Sequence, residues 1–428
     1  MTLMPEGYRP RLVDEQIEHH LRLFGAVCVE GPKFCGKTWA SRSHSNSAYM
    51  VGDPSNNFQN RRLAEMEVTV TLSGETPHLI DEWQDVPGIW DAVRNEVDQT
   101  PDCGRFILTG SSTPRRKGIM HSGAGRIGDI RMRTMSLFES GDSDGRVSLR
   151  SLFDGGFQNS FSNERMELMR LADLIVRGGW PQHIGFAPDD AQIVIKSYME
   201  RIVKDATSLD GRNLSEDRMR ILIRSLSRNE STVASARTLI DDMRKYDDEE
   251  PDPKTVSTYR DALDRVFMIE DQPAFNPNLR SSVRVGKKPK RHLTDPAIAV
   301  AAMGLDSSML REDLNTFGFL FEALCERDLQ IYAQADGGSL FHYRDGDGRE
   351  IDAVVEMPSG RWGAFEVKLG ANQIDAAADN LLSIRDYLEE KGIKRAPSVL
   401  GVICGKETSA YRRPDGVYVI PITSLRNR

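Results

Sequence analysis

The stretch Gly31-Pro32-Lys33-Phe34-Cys35-Gly36-Lys37-Thr38 sets two glycines around four residues and follows them with Lys-Thr, the pattern of a phosphate-binding loop. Ala26-Val27-Cys28-Val29 before it reads as a short buried strand, and Trp39 onward opens a helix. Strand, loop and helix is the context such a motif requires. The glycines let the backbone curl so that its N–H groups face a triphosphate, and the helix N-terminus adds a favourable dipole. In this reading residues Gly31 to Thr38 bind ATP, Lys37 reaches the β- and γ-phosphates, and the Thr38 hydroxyl ligates Mg2+.

Working outward, His78-Leu79-Ile80-Asp81-Glu82 is a short apolar run ending in two acids, 44 positions beyond Lys37 at Asp81. Asp81 is then the acid that holds magnesium through water, and Glu82 the one that orients and deprotonates the attacking water. A solvated strand end carries the same two acids, so the reading leans on the loop. A third strand, Arg105-Phe106-Ile107-Leu108, runs into Thr109-Gly110-Ser111-Ser112. Thr109 and Ser111 are the candidates for sensing the γ-phosphate; a polar turn would also use hydroxyls.

A chain of 428 residues is expected to fold as two to four domains. Its net charge of −8 excludes inferring nucleic-acid binding from the whole chain, so any such surface must be local. The five cysteines form no CxxC pair, which suits reduced thiols. No apolar leader or membrane-length run is visible, and the expected location is the cytoplasm.

Residues 140–165 are rich in Gly, Ser, Asp and Asn and read as a loop or lid. Gly178-Gly179-Trp180-Pro181 breaks the chain, and a helix-rich stretch runs from Met219 to Phe267. Ser231 and Thr232 are placed to cap a helix from Ala234 to Met243. Short helices followed by a strand at Met268-Ile269 fit a winged helix-turn-helix. The segment Arg280 to Arg291 then carries Arg280, Arg284, Lys287, Lys288, Lys290 and Arg291 and no acid. Arg284, Lys287, Lys288, Lys290 and Arg291 are the candidate DNA contacts, as a wing reaching a phosphate backbone. A solvated loop, or an interface with an acidic neighbour, explains the same run.

Phe317 to Leu329 reads as an amphipathic helix carrying Glu322. It precedes a strand at Leu340–Arg344 and a hairpin that sets Asp352 on one strand and Glu366 and Lys368 on the next. Residues two apart on a strand share a face. Asp followed by Glu-x-Lys on a neighbouring strand is the PD-(D/E)XK nuclease constellation. Asp352 and Glu366 would ligate magnesium, Lys368 would steady the attacking water, and Glu322 would support the metal from the helix. The same charges also suit a structural cluster in a domain kept for binding.

The strings Ile80-Asp81-Glu82-Trp83-Gln84, Leu108-Thr109-Gly110-Ser111-Ser112 and Gly125-Arg126-Ile127 resemble the prokaryotic AAA-type P-loop ATPases that carry a C-terminal restriction-endonuclease-like domain. The resemblance implies an α/β architecture with an AAA-type ATPase domain at 1–205, a helical, winged-helix middle at 206–305 and a nuclease-like α/β domain at 306–428. It also implies Arg126 as a trans-acting arginine finger or phosphate sensor, although a lone arginine in a glycine-rich loop reads equally as solvated. The expected activity is ATP hydrolysis driving a motor or switch on DNA, branched DNA included, in a homo-oligomer such as a hexameric ring. The alternatives are an ATP-gated nuclease and a non-enzymatic ATP-switched adaptor.

Overall fold

The first five strands are Ala26–Glu30 (β1), Ser47–Met50 (β2), His78–Asp81 (β3), Phe106–Gly110 (β4) and Ile127–Arg131 (β5). β1, β3 and β4 are buried almost throughout, the pattern of parallel strands covered on both faces. In the computed structural model, which describes residues 3–113, 119–162, 166–211, 213–245, 252–278 and 288–428, they form a parallel sheet in the order β2-β3-β4-β1-β5. Side chains alternate across it. Val27 and Val29 pack with Ile17 and Ala40 on one face, while Ala26 and Cys28 pack with Trp83, Ile89 and Val93 on the other. Because the strands run the same way, the loops after β1, β3 and β4 emerge at one edge of the sheet, where the chemistry gathers.

Residues 140–162 are more ordered than the composition of the 140–165 stretch suggests, and 163–165 lie outside the described residues. Within them lie the short strand Val147–Ser148 (β6) and the helix Leu149–Asp154, whose Ser148 hydroxyl accepts from the Ser151 N–H. A second, mixed sheet follows the helix Leu314–Ala335. Its strands are Ser339–Arg344 (β7), Glu350–Glu356 (β8), Trp362–Lys368 (β9), Val399–Cys404 (β10), Tyr411–Arg412 (β11) and Tyr418–Pro421 (β12), in the order β11-β12-β10-β9-β8-β7. β7, β8 and β9 form an antiparallel meander, and β10 joins β9 in parallel after the helix Ile374–Glu390. Leu425–Arg426 (β13) returns to pair in parallel with β6.

Between the sheets lie the helices Glu216–Arg228, Ala236–Met243 and Pro253–Arg265. Ser235, rather than Ser231 or Thr232, caps the second, accepting from the Thr238 N–H; Ser231 instead sits at φ 56°. A hairpin follows, held by antiparallel bridges Ile269–Leu293 and Gln272–Lys290, with Thr232 bridging Arg291. The expected boundaries do not separate independent cores. Residue 205 lies inside the helix Pro188–Ser208. The helix Pro296–Met303, buried all round, packs in one apolar cluster with Leu171, Ile202, Leu222, Leu324 and Phe365. Among the described residues, no helix is long and apolar enough to cross a membrane.

Candidate active site

The phosphate loop sits where the motif places it. Gly36 has φ 107°, a left-handed conformation that favours glycine, and a Cβ on Gly31 would lie 2.1 Å from the Met132 carbonyl oxygen. Lys37 is buried, its Nζ donating to the carbonyls of Gly31 and Pro32 at 2.9 Å each. The loop opens on a cleft of about 1340 Å³ lined by Lys37, Thr38, Glu82 and Ser111. Cys35 takes part through its backbone only: its side chain is fully buried, with Sγ 3.9 Å from the Met132 carbonyl oxygen. Lys33 pairs with Asp205 at 2.8 Å, and the exposed Phe34 sets its ring edge-on to Tyr198.

The two acids after β3 separate into distinct environments. Asp81 Oδ1 accepts from the Thr38 hydroxyl at 2.8 Å and from the Thr109 hydroxyl at 2.6 Å. Burial pushes its carboxyl above the ordinary value, opposed by those two hydrogen bonds. Glu82 stands at φ 58°, a conformation rare outside glycine, which turns its side chain off the strand line. Its Oε2 accepts from the Ser111 hydroxyl at 2.6 Å and from the Gln84 amide. The two hydroxyls therefore divide. Ser111 faces the cleft, as a γ-phosphate sensor would. Thr109 is fully buried, accepts from the Glu82 N–H at 3.1 Å and orients the acids without meeting a nucleotide. Thr38 and Asp81 offer two hard oxygens beside Lys37, a donor pair that fits Mg2+ completed by substrate phosphates and water.

Three clamps on the loop were not legible as site residues. Arg11 is buried and donates through Nη1 to the Cys35 carbonyl at 2.7 Å and through Nη2 to the Arg133 carbonyl at 2.9 Å, while its Nε pairs with Glu139 at 2.9 Å. Trp180 of the Gly-Gly-Trp-Pro turn donates its indole N–H to the Lys33 carbonyl at 3.3 Å. Asp205 completes the set. The turn was visible as a break in the sequence; its partner on the loop was not.

Arg126 lies at the other end of the sheet. Its carbonyl accepts from the Ala26 N–H, and Ile127 stands opposite Ala26 at the start of β1, whereas the phosphate loop follows the last residue of β1. Four strand steps, about 13 Å, intervene. Its exposed guanidinium pairs with Asp98. Arg126 is thus no catalytic residue of the site in its own chain.

The C-terminal constellation assembles, with counter-charges of its own. Lys368 Nζ lies 3.1 Å from Asp352 and 2.7 Å from Glu366. Burial, aided by the Asp352 charge, pushes the Glu366 carboxyl up to about 7, with Lys368 opposing. Glu322, expected to support a metal here, instead contacts the Lys290 ammonium, which also pairs with Glu326 at 2.8 Å and reaches the Asp352 carbonyl at 3.1 Å. Among the described residues no group of three or more His, Cys, Asp or Glu side chains is arranged to hold a metal ion. Glu322 is thus engaged by Lys290, while Asp352 and Glu366 share Lys368.

The basic stretch divides as well. Arg284 and Lys287 lie outside the described residues, and Lys288 is exposed. Lys290 is 1% exposed and Arg291 7%, the latter donating to the Ala234 carbonyl and paired with Asp271. Neither can meet a DNA backbone. Burial pulls the Lys290 pKa down, yet Glu326, Glu322 and Asp352 outweigh it and hold it above the ordinary lysine value. Removing one partner leaves buried charge uncompensated, so Lys290→Ala is expected to cost about 3–5 kcal/mol, read from the urea unfolding midpoint. Lys288→Ala should cost no more than about 0.5 kcal/mol. Equal midpoints for the two variants would refute the buried assignment.

Comparison with known proteins bears on the three regions separately. Residues 24–140 match the family model of the AAA domain. Residues 169–309 match a domain of unknown function, DUF8612, and residues 317–425 another, DUF4143. The uncharacterized protein Rv2008c of Mycobacterium tuberculosis is 26% identical over 346 residues, covering 80% of this chain and 70% of that protein, and Mb2031c of Mycobacterium bovis matches with the same figures. A solved structure, the Walker-type ATPase PABY2304 of Pyrococcus abyssi, is similar at 12% identity with a TM-score of 0.46, covering 70% of this chain and 97% of its own. With a glycine-bounded loop, a buried lysine, a Thr–Asp pair and a glutamate at one edge of a parallel sheet, the part of the chain that matches the AAA model is a P-loop ATPase domain.

Proposed function

We propose that the protein is an ATP-hydrolysing, DNA-binding switch or motor, working as a homo-oligomer. The hydrolytic part rests on one observation above others: Thr38 and Asp81 share a hydrogen bond at 2.8 Å while Glu82, held by Ser111 and Gln84, faces the same cleft. The loop N–H groups and Lys37 bind and orient the triphosphate. Thr38 and Asp81 would hold magnesium, which with bound nucleotide neutralises charge on the β- and γ-oxygens. Glu82 accepts the proton of the attacking water, and Ser111 fixes the carboxylate that does so. Arg126 serves this chemistry only from a neighbouring copy, where its exposure leaves it accessible.

Support for the DNA part is the order of the middle region: helix, bridge at Thr232, two helices, then a hairpin, the order of a winged helix-turn-helix. Between the two described arms of the hairpin the sequence carries Arg280, Arg284 and Lys287, which lie outside the described residues. A second reading, a nuclease, is favoured by the helix–meander–helix–strand order around Asp352, Glu366 and Lys368.

One experiment separates these readings. ATP turnover is measured with single-stranded, duplex and four-way-junction DNA, and the same DNA is inspected for nicks in magnesium or manganese. Stimulated turnover with intact DNA is expected, greatest with one DNA form. Turnover indifferent to every DNA would favour the ATP-switched adaptor. Nicking that disappears in Asp352→Ala would favour the nuclease.

A further inference from the structure

The chain leaving the cleft at Ser111 does not stop at the ATPase domain. Two residues on, the Thr113 N–H donates to the Arg265 carbonyl at 2.9 Å, and Arg265 Nε donates back to the Thr113 carbonyl at 2.9 Å. Arg265 is buried and is the last residue of the helix Pro253–Arg265. Val266, immediately after it, lines the nucleotide cleft together with Ser111 and Ser112.

Two more contacts hold the same joint. Phe267 turns the chain at φ 59°, and the Arg131 guanidinium, at the end of β5, lies over its ring at 3.9 Å. Glu270, where the hairpin begins, pairs with Arg133. The Met268 N–H donates to the Leu263 carbonyl at 2.9 Å and ties the turn to the helix. The junction between helix and hairpin is therefore gripped by two segments of the ATPase domain, one of them contiguous with the residue that holds Glu82.

We propose that Arg265 is a positioning residue that couples the γ-phosphate site to the helix–hairpin unit. A movement of Ser111 on nucleotide binding is passed through Thr113 to the helix end. By linkage, a ligand that shifts the helix shifts the Ser111–Glu82 contact in return. The proposal rests on ATP binding at the cleft, as argued above, and does not depend on DNA being the ligand of the helix.

The test compares the full-length protein with Arg265→Ala and Arg265→Lys, both checked by thermal melts. Hydrogen exchange of residues 253–278 is followed with and without ATPγS, and kcat and KM are measured for ATP. In the wild type ATPγS is expected to slow exchange in this segment. In Arg265→Ala that nucleotide-dependent change is expected to vanish and kcat to fall about tenfold, while KM changes less than about twofold. Arg265→Lys, which keeps the charge and loses the Nε donor position, should fall between. A nucleotide effect on exchange that persists in both variants would overturn the coupling, as would its absence from a wild type that binds ATPγS by calorimetry. Failure of the wild type to bind ATPγS at all would overturn the ATPase reading and this proposal with it.

Discussion

ATP turnover in Lys37→Ala is expected to fall by about 10²–10³-fold or more, the cost of removing one preorganised donor from developing charge in a water-poor site. The loss should exceed that of a surface lysine on two counts. Lys37 is buried at the base of the cleft, so its charge acts on the triphosphate with little solvent screening. Its ammonium also ties together the carbonyls of Gly31 and Pro32, at 2.9 Å each, and so shapes the loop that presents its N–H groups. Nucleotide binding should weaken as well, because the ground state shares these contacts. Phosphate release is the assay for turnover, and a melt shows that the variant is folded. Undiminished turnover in folded Lys37→Ala would remove the phosphate loop from the chemistry.

Glu82→Gln is expected to bind ATP with near wild-type affinity and hydrolyse it about 10²–10⁴-fold more slowly, the usual contribution of a positioned base. The substitution is close to isosteric, and an amide oxygen can still accept from Ser111 Oγ, now at 2.6 Å from the carboxylate. The shape of the cleft is therefore kept while the proton acceptor is lost. Asp81, with its own partners in Thr38 and Thr109, is untouched. Single-turnover hydrolysis and a separate binding titration distinguish the two effects. A wild-type rate would put water activation on another carboxylate, and Asp85, which also lines the cleft, is the next candidate.

The ATP site was legible because its determinants are local. Two glycines at fixed spacing, a strand before them and acids ending a second strand are sequence-near features, and parallel pairing brings the strand ends to one edge. Which residues face the cleft was only half legible: Thr109 lies within β4 and is buried, while Ser111 falls just past the strand end and lines the cleft. The burial of Lys290 and Arg291 within the basic run was hidden for a different reason. Lys290 looked like surface because Arg280 to Arg291 contains no acid, but Glu322 and Glu326 reach it from a helix more than thirty positions away. That Arg126 lies away from the site of its own chain was not legible either, since a motif's spacing does not say at which end of the sheet it emerges. The Asp352, Glu366 and Lys368 grouping was legible from strand periodicity, yet the ammonium of Lys290 at its side was not. Arg11 carries no local signal and Trp180 only that of its turn, as each takes its role from a backbone carbonyl across the fold.

The pairing of β13 with β6 bears on the order in which the molecule is made. Ser143 donates to the carbonyl of Leu425 across 282 positions, and Val147 stands opposite the same residue. The ATPase sheet needs only the first 131 residues and can form early during synthesis, since domains fold as units from the N-terminal side. β6 emerges soon afterward and stays an unpaired edge until Leu425 and Arg426 have been translated. At roughly 5–20 residues per second, that interval lasts on the order of 15–60 s, far longer than a short strand needs to pair locally. A nascent chain caught in this window presents an open edge and the apolar faces of Leu149 and Phe153, buried in the finished fold, a surface on which a ribosome-associated chaperone can act.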